Sequence, residues 1–165
     1  MRIDAGPPDH AVFAPFGEFI ERPAEAGARR LYSAWLAPAP DLLPQFHTNR
    51  VPPSAVPLQV TRVERHPHAA QVLLPLSGAR YLVTVMPSRI DGLPDVERAE
   101  AFVVPATLGV AYRPGVWHTG IVALDTEACF AVMMWRGATD DDVFVEVPAF
   151  TVDTAPLAVE GGVRV

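Results

Sequence analysis

Lysine is absent from this chain of 165 residues, which has thirteen arginines instead. Without a lysine amine, the chain cannot form a side-chain Schiff base or anchor pyridoxal phosphate. The single cysteine, Cys129, excludes an intrachain disulfide and a zinc site built from several thiolates. Because Cys129 lies in the apolar run 127–135, we expect its thiol to be buried.

Other absences exclude whole classes of protein. The chain has no G-x-S-x-G elbow, no G-x-G-x-x-G or Walker loop, and no apolar run long enough for a membrane span. The net charge of −6 argues against a nucleic-acid-binding surface. No charged start followed by an apolar stretch opens the chain, so no secretory signal is expected. The lone cysteine is compatible with a reducing cytoplasm, which is the location we expect.

Proline and glycine are abundant, with 18 and 11 copies, and leave little room for long helices. Short strands between turns therefore predict an all-β fold, an antiparallel barrel or jelly roll of the cupin type, as a single domain over residues 1–165. One short helix is expected near 8–13, beginning at Asp9. The predicted strands are 29–35, 45–50, 58–65, 71–76, 80–86, 99–104, 109–113, 117–123, 128–136 and 143–147.

Three histidines stand out in the two segments 63–78 and 109–120. Alternate residues of a strand share a face, so Glu64, His66 and His68 project together if the strand reaches residue 68. A turn at 69–70 would return Gln71 to the same cavity. A second turn, Pro114-Gly115, precedes His118. The pattern H-x-H-x2-Q-x6-G followed by P-G-x2-H is similar to the two metal-binding motifs of the cupin superfamily.

A narrower resemblance covers residues 13–146. The segment E-R-H-P-H-A-A-Q-V-L-L-P-L-S-G resembles the E-R-H-P-x3-Q-x3-P-x2-G signature of the ureidoglycolate lyase family, and G-V-A-Y-R-P-G-V-W-H resembles its G-V-x-Y-x4-W-H. The stretches A-V-F-A-P-F-G-E-F-I-E, T-N-R-V-P-P and W-R-G-A-T-D-D-D-V resemble other parts of the family pattern. Here His68 stands where family members carry an apolar residue. The resemblance implies a cupin barrel, cleavage of ureidoglycolate to glyoxylate and urea in allantoin and purine breakdown, and a homodimer.

The chemistry assigns a role to each candidate residue. His66 and His118 are the expected acid and base, and Glu64 either orients His66 or serves as a base. Tyr112 would donate a hydrogen bond to the developing glyoxylate oxygen, while Gln71 would orient the ureido group. For the substrate carboxylate, Arg50 is the first choice and Arg136 the second, because a guanidinium holds a carboxylate with two parallel hydrogen bonds.

The sequence leaves the cofactor open. The family has no fixed metal as its hallmark, whereas His66, His68, Gln71 and His118 form a neutral ligand set that suits zinc, nickel or iron. Two other functions remain at this stage. One is a metal-dependent cupin dioxygenase or isomerase acting on another small acid, which His68 favours. The other is a cupin that binds a sugar or an acid without catalysis, since one fold hosts many functions.

Overall fold

The computed structural model describes residues 1–154, and strands dominate these residues. The helical elements are one short α-helix, α1 (His10–Phe13), and two 3-10 turns, Ser33–Leu36 and Val96–Arg98. The twelve strands are β1 (Arg2–Ala5), β2 (Gly17–Glu21), β3 (Leu43–Val51), β4 (Leu58–Arg65), β5 (Gln71–Ser77), β6 (Arg80–Met86), β7 (Glu100–Pro105), β8 (Leu108–Tyr112), β9 (Trp117–His118), β10 (Val122–Leu124), β11 (Ala128–Arg136) and β12 (Val143–Thr154).

The strands form two sheets that together make a nearly closed barrel. One sheet has the order β1-β12-β4-β9-β6-β10, with β7 also paired to β6, and the other has the order β2-β8-β5-β11-β3. All pairs are antiparallel except β1 with β12. A bridge between Pro53 and Ala123 joins the two sheets beyond the end of β3. The predicted all-β barrel of the cupin type is therefore confirmed.

Apolar residues pack against both faces of the larger sheet. Along β6, Val83 and Val85 face a core between the two sheets, while Leu82 and Met86 face a second core. This alternation follows from the two-residue period of a strand. The first core also holds Phe13 of α1. Both cores consist of apolar side chains. The polar residues that point into the barrel are therefore surrounded by a largely apolar environment.

Glycine is required where β2 meets β8. A Cβ at Gly17 would lie 1.9 Å from the carbonyl oxygen of Ala111, which is closer than any real contact. The residue therefore lets the two strands pair from Gly17 opposite Tyr112 to Glu21 opposite Leu108. This pairing fixes the position of β8, and the end of β8 leads into the turn at Pro114-Gly115.

Most predicted strands are confirmed within one or two residues, and the exceptions have local causes. The strand predicted over 29–35 is wrong, since Ser33–Leu36 is a 3-10 turn. The strand predicted over 117–123 is two strands, β9 and β10. Sequence analysis missed β1 and β2, and it ended β12 at residue 147 instead of Thr154. The sequence leaves open whether the tail 151–165 packs as an edge strand or frays, and residues 155–165 lie outside those that the structure describes.

Two local predictions have different outcomes. The short helix is confirmed, and Asp9 caps it by accepting hydrogen bonds from the backbone N–H groups of Ala11 and Val12. Cys129, expected to be buried, is half-buried because its side chain points to the outer face of β11. Among the described residues, no helix has the length and apolar character that a membrane crossing requires.

Candidate active site

The two sequence segments meet at one end of the barrel. His66 follows the last residue of β4, and the backbone N–H of Gly115 donates to its carbonyl oxygen at 2.8 Å. Gly115 has a φ of +77°, a conformation that glycine adopts at little cost. The Pro114-Gly115 turn thus ties the two segments together and directs the chain into β9, where His118 lies opposite Glu64 of β4.

Glu64, His66 and His118 form a compact cluster. Each residue offers one donor atom, and these atoms all lie within 4.8 Å of one another. The Oε1 of Glu64 is 3.7 Å from the Nε2 of His118, and the two imidazole centroids are 5.2 Å apart. Both histidines are buried, with 6% and 2% of their surface exposed. The predicted common face of Glu64 and His66 accounts for this convergence.

The hydrogen bonds at Nδ1 fix both rings. His118 donates from Nδ1 to the carbonyl oxygen of Val116 at 2.9 Å. His66 donates from Nδ1 to the carbonyl oxygen of Asp141 at 3.1 Å, and the same nitrogen lies 2.9 Å from Oδ1 of Asp142. In its neutral form each ring therefore carries its lone pair on Nε2, and both Nε2 atoms are buried without a hydrogen-bond partner.

Burial determines the charge state of the cluster. It lowers the pKa of His118 to about 3, with a contribution from the nearby His66, so His118 is neutral at neutral pH. Burial also raises the pKa of Glu64, an effect that Asp142 strengthens and His66 opposes. His118 therefore adds no positive charge to the cluster, and its Nε2 lies near the carboxyl group of Glu64.

Tyr112 packs against one face of the His118 imidazole. Its ring stacks on the imidazole at a centroid distance of 4.3 Å and an interplanar angle of 16°. Burial raises the pKa of the Tyr112 phenol, and the nearby Glu64 raises it further, so the phenol stays protonated. Tyr112 is not among the residues that line the adjacent cavity. This position makes it a support for His118, and its predicted hydrogen bond to the glyoxylate oxygen stays a prediction.

A polar cavity of about 390 Å³ lies beside the cluster. Gln71, the first residue of β5, lines it as the predicted turn at 69–70 requires. The residues that line it come from both sheets and are Thr48, Asn49, Arg50, Val51, Glu64, Gln71, Leu73, His118, Thr119 and Ile121. Sequence analysis missed Asn49 and Thr119, although Thr119 follows His118 directly in the chain.

His68 lies apart from the other two histidines. Strand β4 ends at Arg65, so the two-residue alternation no longer applies at residue 68. The His68 side chain is 41% exposed, and its Nε2 is 2.7 Å from Oδ1 of Asp140. Glu64 takes the place that the predicted ligand set gave to His68. We therefore correct that set: the structure brings His66 and His118 together but not His68.

The two arginines expected to anchor a carboxylate have other partners. Arg50 borders the cavity, but its side chain is 75% exposed and pairs with Glu127 at 2.8 Å. Arg136 forms a hydrogen bond to Asp142 and is not among the lining residues. Each guanidinium is already paired with a carboxylate, so neither is an unpaired cation beside Glu64. Arg136 is therefore better explained as a partner of Asp142, whereas Arg50, at the cavity border, stays a prediction as the carboxylate anchor.

Asp142 is the residue that sequence analysis undervalued most. Three consecutive aspartates before a strand are typical of a solvated turn, yet Asp142 lies between Arg136 and His66. Burial opposes its ionisation, but the hydrogen bond from Arg136 and the charges of Arg136 and His66 lower its pKa. Asp142 is therefore ionised beside the Nδ1–H of His66. The stretch W-R-G-A-T-D-D-D-V, which resembles part of the family pattern, contains both Arg136 and Asp142. That resemblance was the sequence signal for Asp142.

The cluster fits a divalent metal ion. Two imidazole nitrogens and one carboxylate oxygen are ligands that zinc, nickel and iron accept. Both Nδ1 atoms donate to oxygen acceptors, which is the usual outer arrangement around a metal-binding histidine. The two buried Nε2 atoms without partners are the structural observation that supports this fit.

Comparisons with known proteins identify the family of this chain. The family model described as ureidoglycolate lyase matches residues 1–153. A ureidoglycolate lyase of Burkholderia mallei is 34% identical over 136 residues, which cover 77% of this chain and 78% of that protein. A ureidoglycolate lyase of Schizosaccharomyces pombe is 34% identical over 93 residues, and the match spans 53% of this chain and about half, 49%, of that relative. A dTDP sugar isomerase of Desulfovibrio desulfuricans is similar in structure, with 19% identity, a TM-score of 0.48, and coverage of 81% and 82% of the two chains.

Proposed function

Because the chain belongs to the ureidoglycolate lyase family, we propose that it is a carbon–nitrogen lyase that cleaves ureidoglycolate to glyoxylate and urea. The observation that supports this proposal is the buried cluster of Glu64, His66 and His118 beside a small polar cavity. Family membership disfavours the dioxygenase, isomerase and non-catalytic alternatives. The reaction belongs to allantoin and purine breakdown, and we place it in the cytoplasm because nothing in it needs an oxidising compartment.

The reaction is balanced without an external reagent. The substrate carbon carries a hydroxyl, a carboxylate and a ureido nitrogen. Loss of the hydroxyl proton forms the aldehyde of glyoxylate as the carbon–nitrogen bond breaks, and the ureido nitrogen gains one proton to leave as urea. The site must therefore stabilise the hydroxyl oxygen as its proton leaves, hold the carboxylate, and receive the ureido group.

The finer proposal is that Glu64, His66 and His118 hold a divalent metal ion, which is zinc, nickel or iron. Such an ion, held by these three residues, would supply Lewis-acid chemistry that lowers the pKa of a bound hydroxyl group. This assignment would leave the substrate carboxylate less dependent on an arginine, since Arg50 at the cavity border pairs with Glu127 and Arg136 pairs with Asp142. Gln71 would then be a substrate contact and not a ligand.

The surrounding residues keep the cluster in one arrangement. Tyr112 stacks on His118 and holds its plane, while the Val116 carbonyl holds its tautomer. Asp142 and the Asp141 carbonyl do the same for His66. Gln71 offers an amide at the cavity wall, where a ureido group can accept and donate hydrogen bonds.

Asp142 is proposed as a positioning residue, and the substitution Asp142→Asn tests this role. The amide keeps the shape of the carboxylate but removes the charge beside His66 Nδ1. We expect kcat/KM and metal affinity each to fall by about 10- to 100-fold, the range for residues that orient a ligand. The melting temperature should change little. Steady-state kinetics and metal titration measure both quantities.

Asp140→Asn is the matched control, because Asp140 belongs to the same acidic run but pairs with His68 outside the cluster. It should retain wild-type kinetics and metal affinity. Equal losses in the two variants would show that the run acts only through its overall charge and would contradict the assignment.

The outer face of the five-stranded sheet supports the proposal that the protein is a homodimer. β3 is an edge strand, and Phe46 on this strand is 67% exposed. An apolar surface surrounds it, formed by Ile20, Tyr32, Leu36, Phe46, Val72, Leu74, Ala131 and Met133. A long edge strand beside an apolar surface is a pairing site that a second copy can cover. We call these eight residues the outer apolar surface.

Phe46→Glu should disrupt this dimer. A carboxylate on the edge-strand side of the outer apolar surface would be buried in the dimer without a partner, so we expect a monomer at concentrations where the wild type is a dimer. Analytical ultracentrifugation measures the change. Ile90→Glu, at a fully exposed apolar residue far from this surface in the fold, is the control and should stay dimeric. A dimeric Phe46→Glu protein would place the interface elsewhere.

A panel of related acids tests the proposed substrate. Ureidoglycolate should release glyoxylate at a measurable rate. Ureidoacetate, which has no hydroxyl group, should bind without turnover because no aldehyde can form from it. Allantoate, which carries a second ureido group in place of the hydroxyl, should also resist cleavage to glyoxylate. Turnover of ureidoacetate, or none of ureidoglycolate, would contradict the proposal.

A further inference from the structure

Two threonines are buried with hydroxyl groups that have no hydrogen-bond partner. Thr84 has 0% of its surface exposed and Thr119 has 7%. They are neighbours, since the backbone N–H of Thr119 donates to the carbonyl oxygen of Thr84 at 3.1 Å. A buried hydroxyl without a partner destabilises the folded protein, so each of these two groups requires an explanation.

Only one of the two hydroxyl-bearing residues reaches the cavity. Thr119 lines it together with Glu64, Gln71 and His118, whereas Thr84 lies within β6 and is not among the lining residues. An unpaired hydroxyl in the wall of a polar cavity gains its hydrogen bonds when a polar ligand enters. Thr119 therefore has the environment of a ligand contact, and Thr84 has the environment of a core residue.

The position of Thr119 indicates which part of the ligand it meets. Thr119 directly follows His118 and lines the cavity with it, but it is not a member of the cluster. A substrate whose carboxylate and hydroxyl are held at Glu64, His66 and His118 extends its third substituent along the cavity. Gln71 lies on the opposite sheet and lines the same cavity. The third substituent of ureidoglycolate is the ureido group, which offers one carbonyl acceptor and several N–H donors.

We propose that the Thr119 hydroxyl binds the ureido group and is a specificity-determining residue that selects urea-bearing acids over other 2-hydroxy acids. This inference rests on the proposed function, because the ureido group belongs to the substrate, ureidoglycolate, that the proposed function assigns. A hydroxyl can donate to the ureido carbonyl and accept from an N–H at the same time. Gln71 would contact the same group from the other sheet.

The substitution Thr119→Val tests the proposal, since valine keeps the shape of threonine and removes only the hydroxyl. The probes are ureidoacetate, which carries the ureido group, and glycolate, which carries only the hydroxyl and the carboxylate. We expect the dissociation constant for ureidoacetate to rise by about 10- to 100-fold, and that for glycolate to stay within about twofold of the wild type. Isothermal titration calorimetry measures both without requiring turnover.

Thr84→Val is the matched control, because it removes an equally buried hydroxyl that lies outside the cavity. It should bind both probes as the wild type does. A Thr119→Val protein that binds ureidoacetate normally would overturn this inference while leaving the lyase proposal intact. Equal weakening of ureidoacetate and glycolate would also overturn it, because Thr119 would then act on the cluster. A wild-type protein that binds neither probe and does not cleave ureidoglycolate would overturn both the inference and the proposed function.

Discussion

His118→Ala should lower kcat/KM for ureidoglycolate by about two to four orders of magnitude. The substitution removes one of the two buried Nε2 lone pairs of the cluster, and it also removes the ring on which Tyr112 stacks. Loss of a group that holds or moves a proton at the reacting atoms has an effect of this size, and loss of a metal ligand is at least as severe. Initial rates of glyoxylate formation, measured at several substrate concentrations, give the change.

His68→Ala is the control for this experiment. His68 is a histidine of the same segment, but it is exposed and pairs with Asp140. It should keep kcat/KM within about threefold of the wild type. Circular dichroism and the melting temperature must show that the His118→Ala protein is folded. A folded His118→Ala protein with wild-type kcat/KM would remove His118 from the active site.

The second large effect concerns the metal ion. Glu64→Gln should raise the dissociation constant for zinc, nickel or iron by about two orders of magnitude or more, because the variant replaces the only anionic ligand with a neutral amide. Dialysis against a chelator should then strip the variant under conditions in which the wild type retains about one ion per chain. Elemental analysis of the two dialysed proteins measures the difference.

His68→Leu separates the present ligand set from the one that the sequence predicts. If Glu64, His66 and His118 hold the ion, His68→Leu keeps it and Glu64→Gln loses it. Loss of the ion from His68→Leu would restore the ligand set predicted from the sequence. Full activity in metal-free wild-type protein would contradict a catalytic role of the ion and would leave His66 and His118 as proton carriers.

The sequence predicted the centre of this site well because strand geometry is simple. Glu64 and His66 lie two residues apart at the end of one strand, so the period of two places them on one face. Gln71 begins the next strand, as the turn at 69–70 predicts. The Pro114-Gly115 turn then brings His118 opposite Glu64. Each of these steps depends on a local rule and on a residue type with strong turn preferences.

Other parts of the site depend on contacts between distant segments, which local patterns do not determine. The strand rule failed at His68 because β4 ends three residues earlier. Asp142 looked like a solvated turn because its partners, His66 and Arg136, can be identified only after β4 and β11 have packed. Arg50 was chosen for its charge, but its place on β3 directs it toward Glu127. Charge and motif identified candidate residues, and packing decided which of them reach the cavity.

The identity of the released nitrogen compound tests the central claim most directly. Ureidoglycolate is incubated with the wild-type protein, and urea, ammonia and glyoxylate are quantified separately over the time course. A lyase that breaks the carbon–nitrogen bond at the hydroxyl-bearing carbon predicts urea and glyoxylate in equal amounts, with no ammonia above the enzyme-free control. Release of ammonia in proportion to substrate consumed would show hydrolysis of the ureido group instead, and it would contradict the reaction assigned to Glu64, His66 and His118.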